Sequence, residues 1–125
     1  MLTNSRVSAV LPVVDLERAK KFYEEKLGLQ AVNIPDGVMF KCGQGTQLAL
    51  YQRATPTKAD HTVAGWEVDN IEDVVQTLRN GGVGFEQYDL PGLKTDEQGI
   101  ATVGTAKGAW FKDPDGNILS LIQFG

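Results

Sequence analysis

The chain has 125 residues, the size of one ordinary domain, and can bury a core without a disulfide staple. Twelve basic against sixteen acidic residues give a formal charge of −4, which repels a phosphate backbone and excludes nucleic acid as a natural partner. The single cysteine, Cys42, excludes a disulfide framework and a cysteine-rich zinc site and points to a reducing compartment, the cytoplasm.

"RVSAVLPVV" (6–14) alternates and is rich in β-branched residues. The apolar run Val7 to Val14 is short, broken by Pro12 and followed at once by charge, so it reads as a strand and not as a signal or membrane segment. "DLERAKKFYEEKLG" (15–28) then takes helical spacing, with Leu16, Ala19, Tyr23 and Leu27 on one side, Asp15 as the cap and Gly28 as the stop. Strands "LQAVNI", "GVMFKC" and "TQLALYQ" follow, separated by the turn signals "PDG" and "GQG". Polar "ATPTKAD" (54–60) is a linker, after which the pattern restarts: strand "HTVAGWEV", helix "DNIEDVVQTLRNGG" capped by Asp69 or Asn70, and strand "VGFEQYDL". A loop from Pro91 to about Lys107, strand "AWFK", the turn "DPDG" and strand "NILSLIQF" complete it.

The two halves match residue by residue. Val14-Asp15 mirrors Val68-Asp69, and "LALYQ" at 48–52 mirrors "LSLIQ" at 119–123. A repeat of this kind predicts an α+β fold of two β-α-β-β-β modules, one at about 5–53 and one at 61–125, that join their sheets with helices covering one face. Alternation puts Ser8, Val10, Gln47, Ala49, Tyr51, His61, Val63, Gly65, Glu67, Trp110, Ile118, Ser120 and Ile122 on the face opposite the helices. Val7, Ala9, Leu11, Leu48, Leu50, Trp66, Val68, Leu119 and Leu121 then pack under the helices.

"VVDLERAKKFYEEKLGL" and "FKDPDGNILSL" together resemble the first-helix signature and final hairpin of the vicinal oxygen chelate superfamily, which includes glyoxalase I, extradiol dioxygenases and the bleomycin and fosfomycin resistance proteins. The resemblance implies a curved mixed sheet with a concave cavity on that open face and the helices on the outer face. Metal-using members of that family carry four His, Gln or Glu ligands there, and counting from the motifs carries those positions to Ser8, Ala49, Val63 and Ser120. None of these suits a divalent cation, since Ala and Val offer no donor and neutral hydroxyls are poor ones. The resemblance therefore implies a metal-free chain without a cofactor. His61 could reach the centre only through a strand bulge, and would then be a lone strong ligand with Glu67 the one acidic neighbour. The resemblance also makes Trp110 a ligand-contacting aromatic, by its place three residues before Asp113, and implies a homodimer. "DPDG" itself reads as a type I turn with Pro114 at its second position.

Other chemistry lacks parts. Cys42 has no histidine near it in sequence, and the glycines of "GGVGFE" end a helix and so do not form a phosphate loop. Three functions stay open. The first is small-molecule binding by Ser8, Gln47, Ala49, Tyr51, His61, Val63, Glu67, Trp110 and Ser120, with no catalytic residue. The second is a lyase, isomerase or dioxygenase-type enzyme using an unrecognised metal set, or His61 or Glu67 as base near Tyr51. The third is a regulatory module with a vestigial pocket. The 91–107 loop could act as a lid, with Tyr88, Leu90 and Leu93 as apolar handles and Lys94 or Lys107 facing an anion.

Overall fold

Strand and helix periods separate cleanly in the computed structural model, which describes residues 1–125. The chain divides into two compact units, Met1–Lys58 with Pro114–Gly116, and Ala59–Asp113 with Asn117–Gly125.

In the first unit β1 (Ser8–Val13) leads into helix α1 (Leu16–Glu25), and β2 (Ala31–Ile34), β3 (Gly37–Lys41) and β4 (Gln47–Gln52) follow. The sheet order is β1-β4-β3-β2, with β1 parallel to β4 and the other pairs antiparallel. Asp15 accepts a hydrogen bond from the Arg18 N–H at 3.2 Å and so caps α1. Gly28, at φ +72, turns the chain away from the helix. Leu11, Val13, Val38, Phe40, Leu48 and Leu50 point to one side of the sheet, and α1 covers that side with Ala19 and Tyr23, all fully or nearly fully buried. Tyr23 stacks on Phe40 at 5.4 Å and 30°.

Asp115 completes this unit from far along the chain. It is buried, accepts the Val14 N–H at 2.8 Å across 101 residues and lies 3.5 Å from the Arg18 guanidinium. Val14 stands just before the α1 cap, where a helix leaves backbone N–H groups without intrahelical partners. The "DPDG" turn thus does more than reverse the chain. Its flanks, Asp113 and Asn117, bond each other through Asn117 N–H to Asp113 Oδ1 (2.9 Å) and Asn117 Nδ2 to Asp113 Oδ2 (2.8 Å), and Gly116 takes φ +91, as a three-residue hairpin loop requires.

The second unit repeats the plan with β5 (Thr62–Glu67), α2 (Ile71–Asn80), β8 (Ile100–Val103), β9 (Ala106–Lys112) and β10 (Ile118–Gln123), plus a small hairpin of β6 (Asp89–Leu90) and β7 (Leu93–Lys94). Its sheet order is β5-β10-β9-β8, again with the first strand parallel to the last. Asn70 is the α2 cap, accepting from the Asp73 N–H, and Gln123 Oε1 accepts the Ile71 N–H at 2.8 Å. Ile71, Val75 and Leu78 of α2 bury with Ala109, Phe111, Leu119 and Leu121. The α+β class and the doubled β-α-β-β-β plan stand, as two four-stranded mixed sheets.

Three expectations change. "VGFEQYDL" is largely irregular: Phe85 bridges Phe111, the Glu86 N–H reaches the Trp110 carbonyl at 2.8 Å, and only Asp89 and Leu90 extend. The strand slot beside β9 goes to β8, drawn from the expected 91–107 loop, because Gly104 at φ +62 allows a tight Val103-to-Ala106 reversal. Val7, expected under the helix, precedes β1 and is 82 % exposed.

Asp115→Ala leaves the Val14 N–H without its carboxylate partner and should cost about 1–3 kcal/mol. Urea unfolding would show this as a lowered midpoint at unchanged slope; a midpoint equal to wild type would mean water replaces the carboxylate freely.

Candidate small-molecule site

Each sheet has one face under its helix and one face bare. On the first unit's bare face, parallel pairing sets Ser8 beside Gln47, Val10 beside Ala49 and Pro12 beside Tyr51. Ser8, Gln47, Ala49 and Tyr51 therefore share one patch. Gln47 Nε2 donates to Ser8 Oγ at 2.6 Å, so the hydroxyl is held by an amide at the polar end. Val10 is 60 % exposed there, which leaves an apolar centre open to solvent.

On the second unit's bare face the row across the sheet reads Gly65, Ser120, Trp110, and the next reads Glu67, Ile122, Gly108. Tyr88 meets the Trp110 ring nearly edge-on, at 5.5 Å and 77°, and both are half-buried. Burial, and then the Glu86 charge, raise the Tyr88 pKa above its ordinary 10.0. The Ser120 hydroxyl lies in the notch that a Cβ at Gly65 would fill. Ser120 stays small because its side chain reclines on a bare backbone.

Other expected residues fall elsewhere. His61 precedes β5, is exposed, and contacts only the Thr62 carbonyl, with Nδ1 at 3.2 Å. The β5–β10 register does shift, passing from Thr62–Ile118 to Ala64–Leu119 and leaving Val63 without a ladder partner, yet this bulge does not carry His61 inward. Glu67 keeps its place in the bare-face row, exposed on β5. Lys107 faces α2 and pairs with Glu72 at 2.5 Å, and this hydrogen bond holds the Glu72 carboxyl below its usual range. It is thus unavailable to an anion on the bare face. Lys112 is likewise engaged with Glu86 at 3.4 Å. Gly108 was hidden because "AWFK" starts that strand three residues too late; its spacing two before Trp110 was the available signal.

A divalent cation has nothing to hold it at the carried-over positions. Ala49 and Val63 are hydrocarbon, the Ser8 oxygen already accepts from Gln47, and the Ser120 oxygen rests on Gly65. Nowhere does a group of three or more His, Cys, Asp or Glu side chains gather as metal ligands would.

Comparison with known proteins adds four findings. The family model described as Glyoxalase/Bleomycin resistance protein/Dioxygenase superfamily matches residues 6–121. A protein of Vibrio parahaemolyticus named "Probable lactoylglutathione lyase" is 27 % identical over 139 aligned positions, covering 98 % of this chain and 93 % of that one. Among solved structures, a virulence protein from Salmonella typhimurium is 25 % identical with a TM-score of 0.68, covering 97 % of this chain and 98 % of its own. A glyoxalase/bleomycin resistance protein/dioxygenase from Alicyclobacillus acidocaldarius shares the fold at 18 % identity and a TM-score of 0.71, over 97 % of this chain and 92 % of its own.

Two outcomes follow from the packing. Gly65→Ala drives a methyl into the Ser120 hydroxyl and should cost about 1–3 kcal/mol, whereas Gly65→Ala with Ser120→Ala should recover part of the loss in the same unfolding assay; no recovery would place the clash elsewhere. For Tyr88, the folded state holds its proton more tightly than the unfolded state does, so its contribution is full below pH 10.0 and is lost as pH rises through the folded value. Wild-type stability should therefore fall more steeply than that of Tyr88→Phe above that pH, and parallel curves would show that Tyr88 titrates as a free phenol.

Proposed function

Because the chain belongs to the Glyoxalase/Bleomycin resistance protein/Dioxygenase superfamily, we propose that it is a binding protein of that family which holds a small molecule without a metal. The observation that carries this reading is the residue set at the four carried-over positions: Ser8, Ala49, Val63 and Ser120 cannot make a cation site, while their neighbours make bare, mostly apolar sheet surface. Small-molecule sites have that character, an apolar lining with a few placed polar groups. On the second unit's bare face Trp110 and Tyr88 supply aromatic area and Ser120 supplies room, with His61, Val63 and Glu67 at the margin. On the first unit's bare face Ser8 with Gln47 supplies a polar anchor, and Ala49 and Tyr51 belong to the apolar part. The two modules, about 5–53 and 61–125 with the 54–60 linker, form one domain on this reading. It works in the cytoplasm as a homodimer, since bare sheet edges favour covering by a second copy.

The name of the Vibrio parahaemolyticus relative favours a second reading, a lyase. On this chain such chemistry would fall to Glu67 or His61 as base. Both candidate bases are exposed, which leaves them in water with no neighbour arranged to aim a proton transfer. Binding without chemistry is the better supported function.

A compound screen by thermal shift should return hits that raise the melting temperature, since a ligand of the folded state stabilises it. Trp110→Ala should weaken those hits about three- to tenfold, and Ser120→Leu should weaken them by filling the space above Gly65. Affinities unchanged by both substitutions would move the site elsewhere. Elemental analysis of protein purified without chelator should find no stoichiometric transition metal, and one metal per chain would overturn the metal-free reading. Light scattering at micromolar concentration should give the dimer mass; the mass of one chain would remove the dimer from the proposal.

A further inference from the structure

Glycine inside a strand is costly, and two of them, Gly65 of β5 and Gly108 of β9, stand on the same bare face. Neither takes the positive φ that would require glycine for backbone reasons. The cause lies in their neighbours. A Cβ at Gly108 would stand 3.0 Å from Trp110 Cη2 and 3.3 Å from Cζ2, closer than ordinary contact, so the missing methyl is what lets the benzo ring of the indole recline along β9. Gly65 does the same for Ser120, whose Cβ would stand 3.5 Å from the added methyl while its hydroxyl would overlap it. Neither glycine leaves a hole; each lowers the side chain beside it.

The face that results is low and apolar. Gly108 lies between Ala101, itself buried, and Ile122, and Tyr88 stands edge-on to the reclined indole. Glu67 is the one charged side chain in these rows, at the β5 edge, and the nearby lysines are engaged with Glu72 and Glu86. An anionic ligand would find no free counter-charge there. A thin unsaturated ring gains from stacking on an indole, whereas a puckered saturated ring of the same size makes fewer close contacts.

Resting on the reading of this face as a binding surface, we propose that Gly108 and Gly65 are positioning residues that set its ligand class: a flat, unsaturated ring without negative charge. Both act through a neighbour, Gly108 through Trp110 and Gly65 through Ser120.

The test uses the full chain labelled with nitrogen-15 and two probes of equal carbon skeleton, 2-naphthol and decahydro-2-naphthol. The indole N–H of Trp110 reports the site, and that of Trp66, on the helix-covered face, is the internal control. In the wild type, 2-naphthol should bind about three- to tenfold tighter than the saturated probe and shift Trp110 but not Trp66. Gly108→Ala should erase that preference, and in a Trp110→Ala background it should add nothing, because residues acting through one another are not additive. Equal affinities for the two probes overturn the ring-class inference and leave the binding reading standing. Failure of both probes to shift Trp110 overturns both. A preference that survives Gly108→Ala, or an equal effect of Gly108→Ala with and without Trp110, removes the positioning role. The two-probe comparison in the wild type decides the ligand class even where a variant does not fold.

Discussion

Everything in each unit follows from one pairing: the strand that opens the unit lies parallel to the strand that closes it, β1 with β4 and β5 with β10. Parallel neighbours cannot be joined by a tight turn, so the chain must cross over between them, and it does so with a helix followed by antiparallel strands. A crossover helix buries its apolar stripe against one side of the sheet. The opposite side is left bare by construction. A slip of one residue in either parallel pair would exchange the two sides, burying Ser120 and Gln47 and exposing Leu119 and Leu48.

The chemistry of the bare side is a consequence of that register. In the first unit it brings Ser8 against Gln47, and the two polar groups satisfy each other. In the second it brings Ser120 between Gly65 and Trp110. The Ser8 hydroxyl is held by Gln47, and the charged side chains near these rows are either exposed, as Glu67 is, or paired, as Lys107 and Lys112 are.

Local signals made most of the fold legible. Alternation in 6–14 and 46–52, the 3.6-residue spacing of both helices, Asp15 as cap and Gly28 as stop all depend on residues within a few positions of one another, and the structure keeps them. Pairing choices were legible only in part. "VGFEQYDL" has the aromatic content of a strand, but Phe85 spends it on burial against Phe111, and the ladder position goes to the smaller, Thr-containing β8 because a hairpin turn delivers it directly to β9. The grouping of Ser120 with Trp110 and of Ser8 with Gln47 on common faces could be read from alternation. The notch at Gly108 could not, because it depends on which way an indole leans. Nor could the role of Asp115, since nothing near it in sequence points to Val14.

That last contact also fixes an order of events in time. The carboxylate that receives the Val14 N–H is incorporated 101 positions after it. At a synthesis rate of about 5–20 residues per second, helix α1 and its sheet, complete at Gln52, can exist for roughly 3–13 seconds before their final partner has even been made. During that interval the amide just ahead of the helix has only water to bond, and the first unit on the nascent chain is a less stable object than the same residues in the finished molecule.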